Sequence, residues 1–370
     1  MKIMTLVGTR PEIIKLSRVI SALDKHFSQI LVHTGQNYDY ELNEVFFKEL
    51  EVRKPDHFLN AAGSGPIETI AKILVESDKI MEIHNPDAVL LYGDTNSCLS
   101  VIAAKRRKIP IFHMEAGNRS FDQRVPEEIN RKVVDHLSDI NLPLSEHARN
   151  YLLKEGLPAD RVIKIGSCMR EVLNYYKPKI EKSNILHQLQ TKTYDFIMAS
   201  IHREENVDFE ENLGGILKSM DLLSTHLNKK IFVSTHPRTQ KKMQAMGFIN
   251  SNKNVEYLKP FGFLDYIKLQ ENAFCVISDS GTITEEACFL GVPAVTIRNA
   301  HERPEGMDVG TVIMSGTSPE DIFKAVKIAT ETKLAPMIDG YERDNVSDHV
   351  VKLIQSYTHY VNRFVWRKMT

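Results

Sequence analysis

An α/β fold built on parallel sheets is what this chain predicts, and three observations carry the prediction. Short apolar runs alternate with amphipathic helical stretches, the alternation fills two successive halves, and 370 residues are more than one core usually holds. Two Rossmann-like domains facing across a cleft follow, with an active site expected at the carboxyl ends of the strands.

In the first half the strand candidates are KIMTLV, QILVHT, AVLLYG, IPIFHM, INLPLS and VIKIG. In the second they are DFIMASI, KIFVST, VEYLKP, FCVISDS, PAVTIR and TVIMSG. The stretches EIIKLSRVISALDK, IETIAKILVESDKIMEI and EENLGGILKSMDLLSTHL carry the 3.6-residue apolar period of covering helices. The boundary is expected near Gly166, giving domains 1–166 and 167–355, with SCMREVLNYY leading into the second. The end of the chain, 356–370, holds the only tryptophan in NRFVWRKMT. An apolar terminus of this kind suggests docking, either back onto the first domain or in a dimer contact.

Composition narrows the function classes. A net charge of −1 lacks the basic excess of a nucleic-acid binder. No apolar stretch approaches the ~18 residues of a membrane span, and the N-terminal apolar run breaks at Gly8, short of a signal peptide. The four cysteines lack CxxC spacing and read as buried thiols of a reducing compartment. A cytoplasmic protein without a metal site is expected.

The most informative segment is HMEAGNRSFDQRVPEEINRKVVDH, residues 113–136. Pro126 suits a first helical position, and Glu127 and Glu128 fall where the helix dipole favours negative charge. On that helix Glu127, Asn130, Arg131 and Val134 share a face. GTRPEIIK, after the first strand, offers Gly8 for a sharp turn, with Arg10 and Lys15 within reach of an anion at the helix N-terminus. Neither GxGxxG nor GxxxxGK[ST] is present, which argues against a tightly held nicotinamide cofactor or a P-loop.

In SDSGTITEEACFLGVPAV, Thr282 and Glu285 have capping-box spacing. There Ser280, Gly281 and Thr282 can offer a hydroxyl and N–H groups to a diphosphate, and Glu286 can accept from a ribose. Arg298 and Arg303 follow closely. Two further strand ends carry His202 with Arg203 and His236 with Arg238. Cationic anchoring of this density suits a nucleotide-sugar better than a neutral metabolite.

GTRPE at 8–12, GDTNS at 93–97, EAG at 115–117, PEEINR at 126–131, HREEN at 202–206, DSGTITEEA at 279–287 and ERPEG at 302–306 together resemble the non-hydrolysing UDP-N-acetylglucosamine 2-epimerases. That resemblance implies a glycosyltransferase-B type of two-domain fold and a UDP-sugar substrate. It also implies a cytoplasmic homodimer with no cofactor, and a reaction by UDP elimination and re-addition through a 2-acetamidoglycal. It makes Asp94, Glu115 and Glu127 the acid/base carboxylates and His202 their assistant at the diphosphate or in proton transfer. Arg10, Lys15, Arg131, His236, Ser280 and Glu286 would bind UDP or sugar, with Arg203, Gly281, Thr282 and Arg303 beside them. One of the crowded carboxylates should have a raised pKa.

The chain departs from the mannosamine-forming pattern in EAGNRSFDQRVPEE and in the ending YVNRFVWRK. Both resemble the subgroup that converts UDP-2-acetamido-2,6-dideoxy-L-talose to UDP-N-acetyl-L-fucosamine for capsule or O-antigen. GQNYDYELNEVFF differs from the pattern tied to allosteric activation, so that property is not expected. Alternatives are the mannosamine-forming epimerase, a hydrolysing epimerase, a glycosyltransferase of the same fold and a non-catalytic nucleotide-sugar sensor.

Overall fold

The computed structural model describes residues 1–36, 47 and 49–368. Most of GQNYDYELNEVFF lies outside the described residues. The chain forms two compact units, Met1–Tyr175 with Asp339–Thr370, and Tyr176–Ile338.

The first unit holds β1 (Lys2–Val7), β2 (Ser28–His33), β3 (His57–Phe58), β4 (Ala88–Tyr92), β5 (Ile111–Met114) and β6 (Ile140–Leu142). They form one sheet in the order β3-β2-β1-β4-β5-β6, all parallel. Continuous apolar runs are needed because helices cover both faces, and every residue of β4 is buried. The second unit holds β7 (Phe196–Ile201), β8 (Lys230–Thr235), β9 (Val255–Leu258), β10 (Cys275–Ser278), β11 (Ala294–Thr296) and β12 (Ile313–Met314). Its order, β12-β11-β10-β7-β8-β9, repeats the first winding. Each unit is therefore Rossmann-like, and in each the topological switch lies beside the first strand of the unit.

Three expectations shift. VIKIG is not a strand of the sheet; only Val162 bridges Asn141, and the sixth position is taken by β3 at the far edge. β6 stops at Leu142 because Pro143 has no N–H for the ladder. The division falls inside helix Met169–Glu181 rather than near Gly166, and the chain rejoins the first unit at Asp339. Gly166 is interior to its unit: at φ +84° it sits so close to Gly340 that a Cβ would lie 2.2 Å from that carbonyl oxygen.

Helix Val346–Phe364 packs on helix Arg10–His26, and Glu171 accepts the Ser347 N–H at 2.9 Å. Trp366 lies against Lys105, whose Nζ is 5.1 Å from the ring centre. Among the described residues no helix is long and apolar enough to cross a membrane. All four cysteines are free.

Candidate active site

In the first unit the acidic residues gather where β1, β4 and β5 end. Tyr92 closes β4, Gly93 turns at φ +75°, and Asp94 follows. β5 ends at Met114, and Glu115 stands at φ +62°, a left-handed conformation that a non-glycine residue keeps only when its surroundings hold it. Gly117, at φ +83°, admits no side chain, since a Cβ would meet the Ala148 carbonyl oxygen at 2.4 Å.

Two carboxylates are thereby presented with separate cations. Glu115 Oε2 accepts from Lys15 Nζ at 2.7 Å and from Tyr92 Oη at 2.6 Å. Asp94 Oδ2 accepts from Arg131 Nε at 2.8 Å and Nη2 at 2.7 Å. Asn130 secures the same loop from helix Pro126–Leu137, donating to the Asp94 carbonyl at 2.9 Å. The cations are buried, whereas the Glu115 and Asp94 side chains keep 13% and 21% of their exposure. Each carboxylate is thus paired with a buried cation and partly exposed.

Several placements differ from the sequence reading. Lys15 lies on Glu115 rather than at the N-terminus of its helix, because Glu12 closes that end. The Glu12 carboxylate accepts from Gly8 N at 2.6 Å, Thr9 N at 2.8 Å and Thr95 Oγ1 at 2.6 Å. Burial pushes its pKa up to about 7, despite those hydrogen bonds. Glu12 is a raised carboxyl that the sequence reading did not single out. On helix Pro126–Leu137 the buried acid beside Arg131 is Glu128, at 2.9 Å, while Glu127 is half-buried. Arg10 opens its helix and is half-buried.

A buried relay supports both loops from below. His113 places Nε2 2.7 Å from the Gly93 carbonyl and Nδ1 2.9 Å from Asp135. Asp135 also accepts from Gly117 N at 3.1 Å and Arg119 Nη1 at 2.7 Å. Arg119 then forks onto Glu155 at 2.8 and 2.7 Å. Burial alone would discharge His113, but Asp135 and the carbonyl hold its pKa above the ordinary value. Burial likewise pushes Asp135 up, and His113 and Arg119 bring it below the usual carboxylate range.

In the second unit the corresponding strand ends are β7, β8 and β10. His202, just past β7, sets Nδ1 3.0 Å from Asp279 Oδ1 and is 38% exposed. Asp279 is fully buried and also accepts the backbone N–H of His202 and Arg203 at 3.0 Å each, and Asn206 Nδ2 at 3.2 Å. Burial would raise its pKa, but the His202 charge and these donors pull it to about 2. His236 caps helix Pro237–Ala245, its Nδ1 accepting from Arg238 N at 3.3 Å, so that in the neutral ring Nε2 carries the proton.

After β10, Ser280 and Thr282 share a hydroxyl contact of 2.9 Å. Thr282 Oγ1 donates to Glu286 at 2.8 Å, and no capping box forms with Glu285. Glu285 instead pairs with Arg303 at 3.0 Å. Glu286 takes a second bond from Gln270 at 2.7 Å. Arg303 Nε donates to the Gly281 carbonyl at 3.1 Å and braces the loop from within. Arg298 is likewise buried, paired with Glu302 at 2.8 Å, and Arg203 reaches Glu302 at 3.5 Å. Ser280, Gly281, Arg298, His301 and Arg303 line a small recess in this unit, where Arg298 Nε and His301 Nδ1 are buried without a hydrogen-bond partner.

The residues to which sequence reasoning gave no site role are Glu12, Tyr92, His113, Asp135, Glu128 and Asp279. Thr9-x-x-Glu12 has capping-box spacing, and Glu128 lies three before Arg131, so both carried a signal. Tyr92 carried none, because its apolar run reads as core. Among the described residues no group of three His, Cys, Asp or Glu could hold a metal.

The chain is similar to known proteins over its whole length. The structure of UDP-N-acetylglucosamine 2-epimerase from Rickettsia bellii is 52% identical, covers 100% of each chain and superposes with a TM-score of 0.93. The crystal structure of the Methanocaldococcus jannaschii UDP-GlcNAc 2-epimerase in complex with UDP-GlcNAc and UDP is 34% identical, covers 96% of this chain and 100% of that one, and has a TM-score of 0.91. A curated relative from Pseudomonas aeruginosa, UDP-2,3-diacetamido-2,3-dideoxy-D-glucuronate 2-epimerase, is 33% identical over 88% of this chain and 92% of its own. The family model described as UDP-N-acetylglucosamine 2-epimerase matches residues 21–355. The chain belongs to the UDP-N-acetylglucosamine 2-epimerase family.

Proposed function

We propose that this protein is a UDP-sugar 2-epimerase that works by elimination and re-addition. A carboxylate takes the C2 proton as the C1–O bond to UDP breaks, leaving a C1=C2 glycal. UDP then re-forms the C1–O bond while a second acid protonates C2 on the opposite face. The observation that carries this reading is the pair Glu115 and Asp94, each held by its own buried cation and partly exposed. Two carboxylates in unlike settings suit the two opposed proton transfers. Glu127, half-buried beside Arg131, is the third candidate acid or base.

The proposed UDP-binding groups are Arg10 in the first unit and His202, Arg203, His236, Ser280, Gly281, Thr282 and Glu286 in the second, while Lys15, Arg131 and Arg303 hold the carboxylates and loop of the site. His202, fixed by Asp279, can present its other ring nitrogen to a phosphate oxygen or a proton in transit. No redox cofactor is needed, since the proton leaves and returns through the carboxylates. Turnover in D₂O should therefore place deuterium at C2 without added NAD. Product free of solvent deuterium would point to internal hydride transfer and end this reading.

For the sugar, the proposed substrate is UDP-2-acetamido-2,6-dideoxy-L-talose and the product UDP-N-acetyl-L-fucosamine, serving capsule or O-antigen synthesis, with the enzyme a cytoplasmic homodimer. The loop 118–125 supports it, because it departs from the mannosamine-forming pattern while Glu115 and Glu127 on either side are kept. The Pseudomonas relative, named for another UDP-sugar, shows that relatives at this distance differ in sugar. A second reading, UDP-N-acetylglucosamine to UDP-N-acetylmannosamine, is favoured by the names of the Rickettsia and Methanocaldococcus relatives. The ratio of kcat/KM for the two UDP-sugars decides between them. A pocket matched to one should leave polar groups unpaired against the other.

A further inference from the structure

Glu128 occupies the first turn of helix Pro126–Leu137 and has no exposed surface. On its Oε2 it accepts from Ser120 N at 2.9 Å and Ser120 Oγ at 3.1 Å, and on Oε1 from Phe121 N at 3.2 Å. The same Oε2 accepts from Arg131 Nη1 at 2.9 Å. Arg131 spends its remaining fork on Asp94. One buried carboxylate thus ties the loop 118–125 to the cation that orients a proposed acid/base group. Phe121 stands at φ +57°, a conformation its surroundings must enforce, and its N–H is one of the groups that Glu128 holds.

The other charges of the loop are engaged elsewhere. Arg119 is buried on Asp135 and Glu155, and Arg124 pairs with Asp122 at 2.7 Å with its side chain 87% exposed. Glu128 is the link between this loop and Asp94 that the hydrogen bonds trace.

We propose that Glu128 is a positioning residue for sugar selectivity: it transmits the conformation of the loop 118–125 through Arg131 to Asp94. The inference rests on the epimerase reading above. A charge-assisted fork of this kind fixes geometry tightly, and small displacements of a proton-transferring group are costly in rate. Glutamine at 128 has one carbonyl oxygen and one NH₂ group. Its carbonyl oxygen can stand where Oε2 stands toward Ser120 and Arg131, but without the charge that strengthens those bonds, and its NH₂ would then face the Phe121 N–H.

The test uses the full-length protein with UDP-2-acetamido-2,6-dideoxy-L-talose and UDP-N-acetylglucosamine. Glu128→Gln should lower kcat for the better sugar by about tenfold or more with little change in KM, the pattern of a lost transition-state alignment. It should also move the ratio of kcat/KM between the two sugars. Ser120→Ala, which removes a single hydroxyl contact, should move that ratio the same way while keeping most of kcat. Combined with Asp94→Asn, Glu128→Gln should add almost nothing to the loss, since both act on one unit. If Glu128→Gln does not fold, by circular dichroism and thermal melting, Ser120→Ala carries the test. An active wild type with an unchanged ratio in the folded variants overturns this inference alone. A wild type that exchanges no C2 hydrogen with D₂O overturns the epimerase reading and this inference with it.

Discussion

The two units wind their sheets identically, yet they treat the carboxylates that follow their strands in opposite ways. In the first, Glu115 and Asp94 are met by cations from distant segments: Lys15 lies 100 positions away and Arg131 lies 37. In the second, Asp279 is met chiefly by the N–H groups and ring of a single turn, 202–206. A carboxylate saturated by backbone donors is locked in its ionised form. Glu115 and Asp94, paired with cations and partly exposed, are the groups proposed for proton exchange. In the proposed reading the same sheet serves proton chemistry in one unit and anchoring in the other, according to what closes on the strand ends.

The largest effect that could break this contrast is catalytic. Asp94→Asn and Glu115→Gln should each lower kcat by about 10²–10⁴-fold, the usual cost of one acid/base group. UDP affinity, read by titration calorimetry, should fall far less. Near-normal turnover in either variant would remove that residue from the chemistry.

Glu12 sharpens the contrast within the first unit. Its carboxyl is raised from 4.5 to about 7, so below about pH 4.5 it is protonated whether the chain is folded or not. As pH rises toward 7 the unfolded chain ionises first, and the folded state loses up to roughly 3 kcal/mol. Subtracting the stability of Glu12→Gln from that of wild type should leave a difference that falls between pH 4.5 and 7. Parallel profiles across that window would refute it.

Asp279 should show the reverse sign. Its pKa lies near 2 in the fold against an ordinary 3.8. Its stabilisation is complete above about pH 4 and is lost as pH falls toward 2, roughly 2 kcal/mol in all. Asp279→Asn should lose that acid-limb dependence, and UDP affinity should weaken as His202 loses its partner. Unaltered acid unfolding in this variant would place the anchoring elsewhere.

The smallest effect is expected at Arg124. Its ion pair with Asp122 is solvent-exposed, and such pairs contribute little. Arg124→Ala should leave both stability and the ratio of the two UDP-sugars unchanged. A shifted ratio would bring this surface arginine into sugar recognition, away from the path through Glu128.

Much of the fold was legible from periodicity alone. The stretch EENLGGILKSMDLLSTHL became helix Glu210–Leu227 without a shift of bounds, because its apolar stripe needs one buried side. The two-residue β3 was not legible, since a strand that short has no period to detect. VIKIG misled for the complementary reason: its alternation is real, but β6 offers it a single bridge rather than a ladder.

The candidate site divides along the same line. Residue types at strand ends, such as Asp94, Glu115 and His202, stand out in sequence because charged groups interrupt apolar runs there. Their partners do not. Arg119 lies in the segment that departs from the mannosamine-forming pattern, and the fold buries it completely between Asp135 and Glu155. Lys15 read as a phosphate ligand, and helix Arg10–His26 carries it to Glu115 instead.

By itself, then, the sequence determined what is local: the alternation of strand and helix, the turns at Gly93 and Gly117, and the placing of acidic residues just past the strands. Only the tertiary structure decided which charges meet. Pairing energies depend on distance and burial, and both arise from segments a hundred residues apart closing on the same strand ends. That closure leaves Asp94 and Glu115 partly exposed, buries Glu128 and Asp135, and gives Glu12 its raised pKa.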